Sequence, residues 1–489
     1  MVSYAPGSYP KTRVLSAADR HLVNRFSYGI TPKLADDVRQ AGSARAWFDK
    51  QLKSTAAASE QVADWWPNQH YSHTKVWDRQ KADVEGSWEV MADYQRRLMA
   101  RRIGSPHQVR ETMTEFFENH LHITVTGDAQ AFWRVPYGSV IRKHALGRFD
   151  DMLVEAIQHP AMQIFLTNAG STKEHPNENL GRELLELHTV GVGNHSEADV
   201  KNAAKLLTGF RIDYWMTFDA WYSTSNHYRG RVEVLNWSHP NQKADGRPAL
   251  RSLLRHLAQH RKTAEHLSRK LVLWFCREDL DATGEKLVQH LADVYVANKS
   301  AIAPVLKALV ASAYFKKSVD KKLRDPGQDI AATYRLSRAS LAKPTADNSA
   351  ANALLWQTSS LGLLPLAWPR PDGAPIDTRI WANPARAMAS ANTHLNVIAG
   401  WYPTVDIDRP KPAAWVPRKP IIFRDLVDHV SRIILHRPST EALLRACCLA
   451  TDKAPGFRIT ENLQEWEWTD WDMARLLAAV MEDPRFYVH

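Results

Sequence analysis

Glu183 and Glu186 stand three residues apart in the run Pro176-Asn177-Glu178-Asn179-Leu180-Gly181-Arg182-Glu183-Leu184-Leu185-Glu186-Leu187-His188-Thr189-Val190-Gly191, which sets ionisable side chains among leucines at helical spacing. At about 100° per residue, Glu183, Glu186 and Asn179 share one narrow face with Arg182 at its edge, and Leu180, Leu184 and Leu187 form the adjoining apolar stripe. Two carboxylates held close in a dry site can split into an acid and a base, or both can ligate a cation. The four-residue spacing of Arg182 and Glu186 also suits an ordinary surface ion pair. His188 falls away from both carboxylates on an intact helix, so it shares a metal with Glu183 only if the helix unwinds toward Gly191.

A second group lies in Glu111-Thr112-Met113-Thr114-Glu115-Phe116-Phe117-Glu118-Asn119-His120-Leu121-His122. Glu111, Glu115, Glu118 and His122 share one helical face, and His120 falls opposite among Met113, Phe116, Phe117 and Leu121. The pattern therefore turns His120, not His122, toward the interior. A buried neutral imidazole there is either a hydrogen-bonded core residue or a base or metal ligand facing Glu183. His227, in Ser225-Asn226-His227-Tyr228, is expected on a loop, where reacting groups are commonly carried. The expected catalytic set is thus His120, Glu183, Glu186 and His227, oriented by Asn119 and Asn179, with His120, Glu183 and Glu186 as the metal-ligand set. Arg182 and Arg142 are the candidates for clamping an anionic substrate group through a forked contact.

These residues need helices to carry them, and helical periodicity dominates the chain. The spacing predicts helices over about 74–103, 108–121, 149–158, 178–189, 197–208, 263–276, 283–297 and 301–313. Ser16 with Asp19, Thr31-Pro32 and Asn383-Pro384 read as helix starts. Only 217–237 looks extended, with Arg231-Val232-Glu233-Val234-Leu235 alternating at period two. Polar residues from Lys343 to Asn352, and five prolines between Tyr402 and Pro420, subdivide the chain. The expectation is a mainly α fold: a helical core over 1–342, its continuation with a Pro/Trp-rich loop over 343–402, a small β or irregular insertion, and a C-terminal helical appendage over 421–489.

Composition narrows the function classes. With 489 residues, 44% hydrophobic and 24% charged, the chain can bury a large core. The net charge of +10 is modest at this size, and the clusters Arg96-Arg97 with Arg101-Arg102 and Lys316-Lys317 with Lys321-Lys322 read as solvated faces. No Cys-His finger or phosphate-cradling loop is present, so nucleic acid is not the expected partner. Nucleophile-elbow, dinucleotide and His-Glu-x-x-His motifs are likewise missing. Cys447 and Cys448 sit in an apolar stretch and read as small buried hydrophobes. No apolar run is long enough to span a membrane, and the N-terminus lacks the pattern of a leader; the chain as written reads as cytoplasmic, or exported if a leader has been removed. Among the 18 tryptophans, Trp65-Trp66 and Trp466, Trp468 and Trp471 could offer faces for a sugar or a cation.

The 176–191 run, continued through Ser196-Glu197-Ala198-Asp199-Val200 to Leu207-Thr208-Gly209-Phe210, resembles the signature of the bacterial family called domain of unknown function 1800. Ser16 to Gly29, Met113 to His120, Arg142 to Leu146, His159 to Met162, Thr263 to Leu271 and Leu361 to Asn383 resemble its other recurrent segments. The resemblance implies an Asn-His pair at 119–120 followed by Phe, where this chain has Leu121. It also implies an aromatic alternative at His188 and His-Asp at 227–228, where this chain has Tyr228. Family members are often exported, but no reaction comes with the resemblance. Two readings follow. One is an enzyme using a His/Glu pocket for metal-assisted or acid-base chemistry (hydrolysis, oxidation or elimination) on a small molecule or a polymer such as a polysaccharide. A divalent or transition metal ion is the cofactor that donor set would take. The other is a non-catalytic binding or assembly protein that uses tryptophan faces and basic patches.

Overall fold

The computed structural model describes residues 6–7, 9, 11–57, 62–461, 464 and 467–489. Helices build nearly all of it, and the strands form only two-stranded antiparallel pairs, which makes the fold mainly α. Helix starts follow the local chemistry. Ser16 accepts a bond from the Asp19 N–H, Thr31 from Leu34 and Asn383 from Arg386, each beside a proline or an acidic first turn.

The region expected as one helix over 74–103 is two, His73–Lys81 and Ser87–Gly104. Asp83 takes a positive φ of 56° in the break, and the second helix starts at Gly86, whose N–H is held by Glu89. The excursion after the signature pairs Phe210–Ile212 with Ala220–Tyr222 and Val232–Val234 with Trp237–His239. In the second hairpin Val232 and Val234 are buried and Glu233 is exposed, as period-two alternation requires.

The largest apolar core runs from Leu15 to Phe315 and unites the Gln108–His120, Arg247–Gln259 and Arg261–Phe275 helices with the signature. Residues 421–489 have an apolar cluster of their own, which also takes in Ala332, Leu336 and Trp415. The N-terminal segment crosses this cluster: Tyr9 donates its hydroxyl to Asp428 (2.6 Å), and the Leu15 N–H bonds His436 Nε2 (2.7 Å).

The basic clusters divide: Lys316, Lys317 and Lys321 are exposed, as a solvated face requires, but the other cluster is mostly interior. Arg97, Arg101 and Arg102 are buried on the Ser87–Gly104 helix, and Lys322 is buried against Glu278 at 2.6 Å. No described helix is long and apolar enough to cross a membrane. Cys447 is buried and Cys448 half-buried.

Candidate active site

The Gln108–His120 helix is buried all round, not on one face. Its apolar side packs Met113, Phe116 and Phe117, and its acidic side is also inside, each carboxylate matched by an arginine. Glu111 meets Arg142 at 2.8 Å, Glu115 meets Arg102 at 3.1 Å and Glu118 meets Arg134 at 2.5 Å. Buried carboxylates need such partners because desolvation otherwise penalises their charge. Arg142 is therefore an interior ion-pair residue and not a substrate clamp. His122 also points inward, its Nε2 2.7 Å from the Trp368 carbonyl, because the chain turns at Leu121 and ends the helix.

His120 is buried, as its position among the aromatics requires. Its Nε2 lies 3.2 Å from the His188 carbonyl, and His188 Nδ1 lies 3.2 Å from the His120 carbonyl, a reciprocal clasp between the two segments. Lys270 Nζ stands 3.2 Å from His120 Nδ1. An ammonium only donates, so Nδ1 accepts, and the network assigns the ring proton of His120 to Nε2. The same logic puts the His188 proton on Nδ1 and leaves its buried Nε2 without a partner among the described residues.

The end of the signature helix creates this clasp. Glu178–Glu183 is α-helical, and the turn then widens to a π-helix over Leu184–His188. Thr189 Oγ1 donates to the Leu184 carbonyl (2.6 Å) and the Gly191 N–H bonds the Leu185 carbonyl (2.9 Å), which stabilises the widened turn. The unwinding turns His188 to His120, not to Glu183.

His266, Lys270 and Trp274 follow at four-residue intervals on the Arg261–Phe275 helix and face the same aromatics. The His266 ring centre is 6.0 Å from that of His120, and Trp274 packs edge-on to Phe116 at 5.5 Å. Burial and the neighbouring cations lower every imidazole here: His120 falls well below the ordinary histidine range, His188 to about 3 and His266 to about 4. Burial also lowers Lys270 to about 8, against the opposing pull of Asp372. Glu183 is half-buried, and burial with the like charges of Glu186 and Asp372 raises its pKa. Asp372 thus sits electrostatically between Lys270 and Glu183. It lies on a loop that Asn119 fastens down, since the Asn119 amide donates to the Ala374 carbonyl (2.9 Å) and accepts from its N–H (2.7 Å).

Beside this cluster, under the same loop, is a cavity of about 70 Å³ whose walls include Asn119, Trp274, Ala374 and Glu115. Asn119 is the residue before His120, and Trp274 lies one turn beyond Lys270.

The other expected site residues go elsewhere. Glu186 lies 3.6 Å from Arg182 and 3.5 Å from His195, so its nearest charges are those of a partly exposed ion-pair face. Arg182 forks onto Glu197 through two 2.7 Å bonds and is no free clamp. Asn179 donates to the Leu166 carbonyl (3.3 Å) and ties the start of the signature helix to the end of the Pro160–Phe165 helix. His227 is buried, with Nδ1 3.2 Å from the Thr208 carbonyl and Nε2 3.1 Å from Asn241 Oδ1, where it pins the hairpin excursion. The ligand set His120, Glu183 and Glu186 does not gather: among the described residues no three His, Cys, Asp or Glu side chains are placed to hold a metal ion. His266, Lys270 and Asp372 escaped the sequence reading. The four-residue spacing of His266, Lys270 and Trp274 was the available signal for the first two, and nothing in the sequence ties Asp372 to them.

The sequence model of the family described as "Protein of unknown function (DUF1800)" matches residues 21–488. The chain belongs to this family. No curated protein and no solved structure matches it. The DUF1800 match spans the signature, the His120 helix, the Lys270 helix and the Asp372 loop together.

Proposed function

We propose that this DUF1800 chain is an enzyme that transfers protons at a centre made of His120 and Lys270, acting on a substrate in the adjoining cleft. The observation that carries the reading is the 3.2 Å approach of Lys270 Nζ to His120 Nδ1 in a nest of neutral imidazoles. An amine brought to about 8 is in part unprotonated near neutral pH and can act as a base. Glu183, shifted upward in the same region, is suited to be the acid. A base lowered and an acid raised fit an elimination: the Lys270 amine takes a C–H proton, the C–O bond breaks as the double bond forms, and Glu183 protonates the leaving oxygen. A polymer such as a polysaccharide is a fitting substrate class, because its sugars carry C–H bonds beside C–O bonds that an elimination can break. The test combines amine acylation and turnover. Lys270 should acylate with a pH midpoint near 8, and a screen of polysaccharides for unsaturated products should find a turnover lost in Lys270→Met and in His120→Gln, both still folded by circular dichroism. A Lys270 midpoint at the ordinary lysine value of about 10.4 would sink the reading.

One observation favours the binding alternative. Trp401 and Trp471 stack at 5.0 Å with 19° between their planes, both exposed, beside a cavity of about 430 Å³ walled also by Arg409 and Lys411. Of the other tryptophans singled out in the sequence, Trp66 is buried, Trp65 is half-buried and packs on Trp66, Trp468 packs on Phe423, and Trp466 lies outside the described residues. Glycan quenching of tryptophan fluorescence that vanishes in Trp471→Ala would support this reading, and lack of quenching by the same polysaccharides would remove it.

A further inference from the structure

Behind the cleft lies a smaller chamber of about 10 Å³, walled by Arg25, Ser27 and Arg324 and sharing Glu115, Trp274, Gln328 and His489 with it. Arg25 is 2% exposed and Arg324 is 4% exposed. Arg25 Nη2 donates to the Ser318 carbonyl (2.7 Å) and more weakly to that of Cys276 (3.5 Å). Arg324 Nη2 donates to Asn24 Oδ1 (3.1 Å). Arg25 Nε and Nη1, Arg324 Nη1 and Ser27 Oγ are buried with no hydrogen-bond partner among the described residues.

The charges around the chamber do not balance. Arg102 is matched by Glu115 and Lys322 by Glu278. The more distant carboxylates are also taken, Asp320 by Arg437 and Asp329 by Arg386 and His394. Asp325 accepts the Gln328 N–H at the start of the next helix. Among the described residues, Arg25 and Arg324 have no Asp or Glu side chain in ion-pair contact, and each raises the cost of charging the His489 imidazole nearby. Burial lowers both guanidiniums to about 10, yet at neutral pH they stay charged. A buried charge with unsatisfied donors costs several kcal/mol unless an anion or water meets it.

We propose that the Arg25–Arg324 chamber is a binding site for one small anion, which takes the free guanidinium donors of both arginines and the Ser27 hydroxyl. Its size sets the class. Room for about one water-sized probe admits a halide, or a carboxylate head reaching in from the cleft, but not a tetrahedral phosphate or sulfate. The site uses none of the residues assigned to proton transfer, so it stands or falls separately from that reading.

The test is thermal unfolding of the full chain at constant ionic strength in methanesulfonate, whose tetrahedral head the chamber excludes, with chloride, bromide, formate, acetate or sulfate titrated in. Chloride, bromide or formate should raise the melting temperature saturably, and sulfate should not. A halide response without a carboxylate response identifies a free-ion site; a formate and acetate response identifies a carboxylate site. Ser27→Ala should weaken the apparent affinity by about tenfold, as loss of one hydrogen bond to a charged group implies. Arg324→Gln should abolish the response; if that variant does not fold, Ser27→Ala and bromide anomalous scattering in crystals still decide the matter. No saturable shift with any small anion, an unchanged affinity in Ser27→Ala, or, where halides give the shift, no bromide peak between the two arginines would overturn the proposal.

Discussion

At the residue scale, Lys270 and His120 show how burial sets protonation states. The desolvated ammonium gives up part of its proton affinity, and the imidazole that accepts from it stays neutral. The stability consequence has a definite sign. A lysine whose folded pKa is about 8, against about 10.4 unfolded, binds fewer protons folded than unfolded between those values. Its penalty is therefore full below pH 8 and is relieved as pH rises toward 10.4. Lys270→Met should be more stable than the parent at pH 7, with the difference shrinking by pH 10; paired urea titrations at the two values check it. An equal difference at both would mean that Lys270 is not desolvated.

At the element scale, the site depends on a loop held to a helix end. Gly373 has φ 77°, in the left-handed region, and a Cβ there would press on the Asn119 carbonyl oxygen. Gly373→Ala should therefore break the Asn119–Ala374 clasp and move Asp372 away from Lys270, at a cost of about 1–3 kcal/mol. Hydrogen exchange should rise at Ala374 and along the loop; unchanged protection would show that the loop has another anchor. A second device of this scale is the π turn at Leu184–His188, which brings His188 onto His120. A helical wheel assumes α geometry throughout, so this turn could not be drawn from spacing.

At the scale of the whole molecule, His394 ties the Pro326–Leu336 helix to the C-terminal helices. It is fully buried between Asp329, 3.1 Å away on the Pro326–Leu336 helix, and Glu482, 2.6 Å away near the C-terminus. Burial opposes its charge, but the two carboxylates outweigh that and raise it to about 9. A raised folded pKa gives stability that is complete below the unfolded value of about 6.5 and lost as pH climbs through 9. The parent should lose stability across that window, and His394→Gln should be about 3 kcal/mol less stable at pH 6 with a flatter pH dependence. Denaturant melts from pH 6 to 10 test this; parallel curves for parent and variant would refute it.

The sequence by itself determined the mainly α fold, the helix starts at Ser16, Thr31 and Asn383, the family, and the inward turn of His120, because each rests on local periodicity, capping or residue-by-residue likeness. Only the tertiary structure decided which groups meet. Arg142 found Glu111, Arg182 found Glu197, His227 found Thr208 and Asn241, and His120 found Lys270 across 150 residues of chain. Spacing fixes the face on which a side chain emerges; the partner on that face is chosen by packing between distant elements, and with it the protonation state on which any chemistry depends.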